Sequence, residues 1–173
     1  AIALANSNVD DTTGIFGNSD QWKTGLVSID KRDDMFYWFF ESRQESAKTD
    51  PVVMWLTGGP GCASEVALFY ENGPYQFPED LSKTGPLKQN PNSWNNISNL
   101  LYVDQPVGTG FSHANPAHLV TNEEEVGDNM AQFLIKFLEL YPQLQGKDFF
   151  ITGESYAGHY IPAISHNLAF KNK

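Results

Sequence analysis

Residues 148–158 (DFFITGESYAG) set the architecture. The apolar run 148–152 reads as a strand, and residues 156–170 carry helical spacing at Tyr160, Ile161, Ile164 and Leu168. Between them Gly153-Glu154-Ser155-Tyr156-Ala157-Gly158 leaves the chain little room to reverse. A serine on so sharp a strand-to-helix turn has its Oγ lifted out of the sheet. Small residues two before and two after it, here Gly153 and Ala157, let the backbone turn without clashes. The letters alone are common; the placement between strand and helix marks Ser155 as a candidate nucleophile rather than a loop serine.

The same punctuation recurs upstream. Residues 51–56 (PVVMWL) form a continuous apolar run bounded by Pro and Gly, as expected of a central strand buried on both faces, and residues 99–103 (NLLYV) read as a second. Thr121 is placed to cap a helix with Glu124 reaching back in a capping box. Val126, Met130, Phe133, Leu134, Phe137, Leu138 and Tyr141 then share one face until Pro142. The acidic run 123–125 reads as a solvated first turn that suits the helix dipole. Strand, helix, strand, helix is the signature of a parallel sheet with right-handed crossovers, an α/β fold. Residues 21–29 and 35–41 read as a hairpin around a polar turn at 30–34, residues 1–20 as an irregular lead-in, and residues 72–94 as a long loop.

Composition narrows the functions. The chain has 173 residues, 40% of them hydrophobic, enough for a sizeable core. Its net charge of −10 and scattered Lys and Arg exclude a nucleic-acid partner, which needs clustered cations. No run approaches the roughly 20 apolar residues of a membrane span. Cys62 is the single cysteine, so neither an internal disulfide nor a zinc cluster can be drawn. The opening AIALA (residues 1–5) contains an A-x-A pattern of the kind that follows a signal peptide's apolar core, and Asn96-Ile97-Ser98 is a glycosylation acceptor.

Four blocks carry a more specific signal: 53–62 (VMWLTGGPGC), 69–74 (FYENGP), 92–94 with 99–111 (NLLYVDQPVGTGF), and 150–162 (FITGESYAGHYIP). In this order they resemble the successive motifs of the serine carboxypeptidase family, and the similarity runs from about Trp22 to the C-terminus. The resemblance implies an α/β-hydrolase fold, incomplete here, with residues 21–173 as the N-terminal part of a single domain. It implies acyl transfer through Ser155 with no cofactor and no metal, the substrate being the C-terminus of a peptide, at acidic pH, in the secretory pathway, vacuole or lysosome, or outside the cell.

The resemblance also assigns roles. The backbone N–H of Tyr156, directly after the nucleophile, and that of Gly59 would form the oxyanion hole, although GGPG taken alone also suits a plain tight turn. Glu154 and Glu71 match a glutamate pair that shares a proton and binds the substrate carboxylate; two adjacent carboxylates cannot both ionise cheaply, so one becomes a donor. Glu71 also suits an ordinary loop. Trp55 matches a tryptophan near that site and equally suits the core. Thr57 stands where many members have Asn, as in some plant-type relatives and in acyltransferases that use the same serine; its hydroxyl still donates, with shorter reach. Cys62 would be disulfide-bonded to a cysteine far downstream.

A serine nucleophile needs a base and a carboxylate to orient it, in the order Ser, Asp, His for this fold. Residues 156–173 contain no Asp or Glu. His159 and His166 fall on the outgoing helix as surface residues, and His113 and His118 precede the nucleophile. A second chain or a C-terminal segment would therefore complete the triad, and this chain alone is expected to fold poorly and to be inactive. An acyltransferase with the same serine, or a binding module that kept the elbow without a triad, are the alternatives.

Overall fold

Each apolar run singled out above forms a strand, and their pairing makes one sheet. The computed structural model describes residues 20–30, 32–78 and 87–171; the expected lead-in lies outside them except for Asp20. In chain order the elements are β1 (Trp22–Asp30), β2 (Asp33–Phe40), β3 (Val52–Leu56), α1 (Glu65–Tyr70), β4 (Tyr75–Gln76), β5 (Lys88–Gln89), β6 (Asn99–Val103), α2 (Glu123–Leu140), β7 (Phe149–Gly153) and α3 (Ala157–His166), with a π-helical turn at Asn167–Lys171. The five-stranded sheet runs β1-β2-β6-β3-β7. β3 is parallel to both β6 and β7, while the β1–β2 hairpin joins through an antiparallel β2–β6 pairing. This is the mixed, mostly parallel α/β sheet expected.

Side-chain alternation sorts the strands' residues onto two faces. Met35, Tyr37 and Phe39 of β2, Val52, Met54 and Leu56 of β3, and Leu101 and Val103 of β6 pack with Met130, Phe133 and Phe137 of α2 and with Tyr160 and Ile164 of α3. The opposite face gathers Trp38, Phe40, Trp55, Leu100 and Tyr102 with Ala67 and Leu68 of α1. Burying each large apolar side chain stabilises by roughly 1.5–3 kcal/mol, against about 0.3–1 kcal/mol for a charge at a helix end. Packing, not the acidic first turn, therefore holds α2 in place.

Three expectations need correction. The hairpin register runs from Trp22↔Phe40 to Asp30↔Asp33, so the polar turn is shorter than 30–34. Long-range contacts extend β2 at that end: the Asp34 N–H donates to His113 O at 2.9 Å, and Asp33 accepts from the Asn115 N–H at 2.9 Å. The α2 cap lies one residue later than Thr121. Asn122 is the N-cap and accepts from Glu125 N at 3.0 Å, while Glu125, not Glu124, reaches back to Thr121 N at 2.7 Å. Asn caps at least as well as Thr. Glu123 is not simply solvated, because its Oε1 accepts from the Tyr156 hydroxyl at 2.8 Å.

Candidate active site

The strand-to-helix turn carries a backbone conformation that L-residues avoid. Ser155 has φ +53°, the only positive φ at a non-glycine residue among the described residues. Such a conformation costs about 1–3 kcal/mol and persists only where the surroundings enforce it. They do so here. Glu154 N donates to Leu56 O at 3.3 Å, tying the turn to β3, and Ala157, Gly158 and His159 donate to the carbonyls of Glu154, Ser155 and Tyr156 at 2.9, 3.0 and 2.9 Å, starting α3. The small flanking residues meet: a Cβ on Gly153 would stand 2.7 Å from that of Ala157 and 2.4 Å from Leu56 O. Ser155 is exposed, and its hydroxyl makes no hydrogen bond among the described residues.

The glycine loop after β3 lies directly against this turn. A Cβ on Gly58 would sit 2.5 Å from Tyr156 N, 2.8 Å from Glu154 O and 3.0 Å from Ser155 Cβ. Gly58 is thus glycine for close approach and Gly59, at φ +109°, for its backbone. Loop amides further on are committed: Gly61 N donates to the Tyr160 hydroxyl at 3.1 Å and Cys62 N to Gly58 O at 3.1 Å. The amides of Gly59 and Tyr156 donate to no protein acceptor among the described residues. The Tyr156 amide directly follows the exposed serine and the Gly59 amide follows the glycine packed against the turn; two such donors are what a developing oxyanion needs.

Glu71, the residue that ends α1, approaches Glu154. Loss of solvent and then the Glu154 charge hold the Glu71 carboxyl above its usual range. Burial, followed by the charge of Glu71, raises the Tyr102 hydroxyl as well. Thr57 is buried, and its Oγ1 accepts from Trp55 Nε1 at 3.3 Å. Trp55 belongs to the core behind the glycine loop while meeting the half-exposed Trp94 edge to face at 5.3 Å. Cys62 is exposed and unpaired. Asn96 donates to Pro91 O at 2.6 Å and accepts from Arg43 at 3.1 Å, and Ser98 of the same sequon donates to Trp94 O.

No histidine is hydrogen-bonded to the serine hydroxyl among the described residues. His159 and His166 are exposed on α3, their rings against Tyr156 and Phe170. His113 bridges to Asp34 through its backbone, and His118 Nδ1 meets Asp33 Oδ2 at 2.8 Å. Sequence reasoning missed one grouping: the ligand-capable atoms of Asp30, Asp33 and His118 lie within 4.8 Å of one another, beside a cavity of about 510 Å³ that Glu125 and Asn129 also line.

The sequence model of the serine carboxypeptidases matches residues 15–173. The chain belongs to the serine carboxypeptidase family. This serine carboxypeptidase-family chain is 52% identical to serine carboxypeptidase-like 47 of Arabidopsis thaliana over 83% of its own length and 27% of that protein. It is 47% identical to the venom serine carboxypeptidase of Apis mellifera, covering 83% of the chain and 30% of the relative. Among solved structures it resembles Kex1(Δ)p, a prohormone-processing carboxypeptidase from Saccharomyces cerevisiae, with a TM-score of 0.74 and 28% identity over 90% of this chain and 35% of that one. The chain thus spans about a third or less of the relatives it matches. The α/β-hydrolase-type fold read from the sequence stands on this match and on the sheet.

Proposed function

We propose that the protein containing this chain is a serine carboxypeptidase that releases C-terminal amino acids from peptides through an acyl-enzyme on Ser155. One observation carries the reading: a serine held at φ +53° on a strand-to-helix turn, with Gly58 seated against the amide of the next residue. Attack by Ser155 Oγ on the scissile carbonyl develops an oxyanion to which the Tyr156 and Gly59 amides donate. The serine proton passes to a histidine held by an aspartate, both supplied from outside residues 1–173 by a C-terminal segment or a second chain. That base then returns the proton to the leaving amine, and water releases the acyl group.

The terminal carboxylate of the substrate docks on Glu71 and Glu154. With one proton between them the pair offers a donor, and Trp55 and Thr57 close the site behind it. A raised acid keeps its proton longer, so substrate binding is strongest at acidic pH, in keeping with a vacuolar, lysosomal or secreted enzyme. Cys62 pairs with a cysteine elsewhere in the protein, and Asn96 carries a glycan.

The test uses the full-length protein. A fluorophosphonate should label Ser155, and an N-blocked dipeptide with a free carboxylate should be hydrolysed far better than its C-terminal amide. Labelling without any preference for the carboxylate would overturn the exopeptidase assignment. Thr57 favours a second reading, an acyltransferase, and product analysis with added alcohols separates the two: an ester formed at the expense of hydrolysis selects the transferase.

A further inference from the structure

A second carboxyl pair lies at the far end of the glycine loop, outside every role assigned above. Asp104, fully buried just after β6, accepts from Ser64 N and from Phe111 N, each at 2.8 Å. Ser64 in turn donates its hydroxyl to Val103 O at 2.7 Å and accepts from Thr57 N at 3.4 Å. Asp104 therefore fastens the end of the glycine loop to the segment that follows β6. Space around it is closed, since a Cβ on Gly110 would fall 2.0 Å from Asp104 Oδ2 and 3.0 Å from Ala63 Cβ.

Glu65, the first residue of α1, brings its carboxyl within hydrogen-bonding reach of Asp104, and its Oε2 is buried without a partner among the described residues. Two carboxylates this close, one fully buried and the other with its Oε2 out of reach of water, cannot both be charged cheaply. Asp104 already accepts from two amides, which leaves Glu65 as the donor of the pair. Glu65 keeps the proton and donates it. We propose that Glu65 and Asp104 share one proton, and that this shared proton braces the glycine loop against the elbow, making Glu65 a positioning residue for the Gly59 amide. The loop's catalytic part in this rests on the carboxypeptidase reading; the brace itself does not.

Burial and then Asp104, through its hydrogen bond and its charge, push the Glu65 carboxyl up to about 8. Asp104 is the charged group that acts on it; the other titratable side chains of the loop and of α1 act elsewhere, Cys62 on Tyr160 and Glu71 on Tyr102. The folded-state value lies above the ordinary 4.5, so the folded protein holds a proton that the unfolded chain gives up. The stabilisation is complete below 4.5, declines as pH rises, and is gone above about 8.

In the full-length protein, Glu65→Gln keeps the donor and removes the titration. Between pH 4.5 and about 8 the thermal midpoint of the parent should fall more steeply than that of Glu65→Gln, and the fluorophosphonate labelling rate of Ser155 should drop in the parent while the variant holds its rate. Parallel thermal curves would overturn the proposal. Should the variant not fold, hydrogen exchange in the parent decides: protection of residues 57–65, corrected for intrinsic rates, is expected to be lost over the same range, and unchanged protection overturns the brace. Absence of labelling at every pH with the thermal divergence intact would instead remove the role given to Ser155.

Discussion

Gly58 is defined by what a side chain there would strike. With a Cβ 2.5 Å from Tyr156 N, Gly58→Ala must push the glycine loop away from the elbow. Losing one oxyanion donor lowers kcat by about 10²–10³-fold. Steady-state kinetics on the full-length Gly58→Ala variant should show a fall of that order in kcat with KM changed far less, and an unaltered kcat would take the loop out of the site. On the proposed reading Glu71 governs a different parameter. Its carboxyl is raised, so the protonated donor is present at acidic pH and lost as pH increases. KM for a free-carboxylate peptide should climb with pH, and Glu71→Gln, a permanent donor, should flatten that climb; equal slopes would contradict the pairing with Glu154. At this scale the sequence discloses what local backbone geometry demands, namely Gly153, Ser155, Ala157 and the double glycine. It hides pairings between distant positions: Glu123 reads as a solvated acid because its partner Tyr156 lies 33 residues away, and Glu65 beside Asp104 is hidden for the same reason.

Elements were legible where apolar runs were long or strictly spaced. β3, β6 and β7 fall on their runs to within a residue at each end; β3 and β6, covered on both faces, have little choice of composition, whereas β7 is apolar although one of its faces stays open. α1 went unforeseen because six residues are too few for a helical repeat to show. The start of α2 was misplaced by one residue because Thr121 and Asn122 are both capping types, each with a glutamate three residues on. Their contacts separate them: Asn122 Oδ1 takes the Glu125 N–H, while the Thr121 hydroxyl touches only exposed side chains. Asn122→Ala should therefore destabilise the full-length protein by about 1 kcal/mol, and Thr121→Ala by clearly less. Urea unfolding of the two variants checks the order, and a larger loss at Thr121 would return the cap to that residue.

The whole molecule is a sheet covered unequally. α2 and α3 lie over one face of all five strands' inward residues, while the other face has α1 and the tryptophan cluster over β2, β6 and β3. β7 is the exception. It pairs with β3 alone among the described residues, and Phe150, which points away from α2 and α3, is 53% exposed. An apolar strand with a free edge invites pairing with another chain, and the net charge of −10 opposes association only weakly once salt screens it. Residues 1–173 produced alone should consequently self-associate and bind a hydrophobic dye in salt, and show no turnover of an N-blocked dipeptide. Phe150→Lys should reduce the association by placing a charge on that edge, leaving the elbow as it is. Light scattering on the isolated chain and the variant decides the matter. A monodisperse monomer would mean that the edge is covered in some way the exposed Phe150 does not reveal, whereas association that Phe150→Lys abolishes locates the uncovered surface on β7.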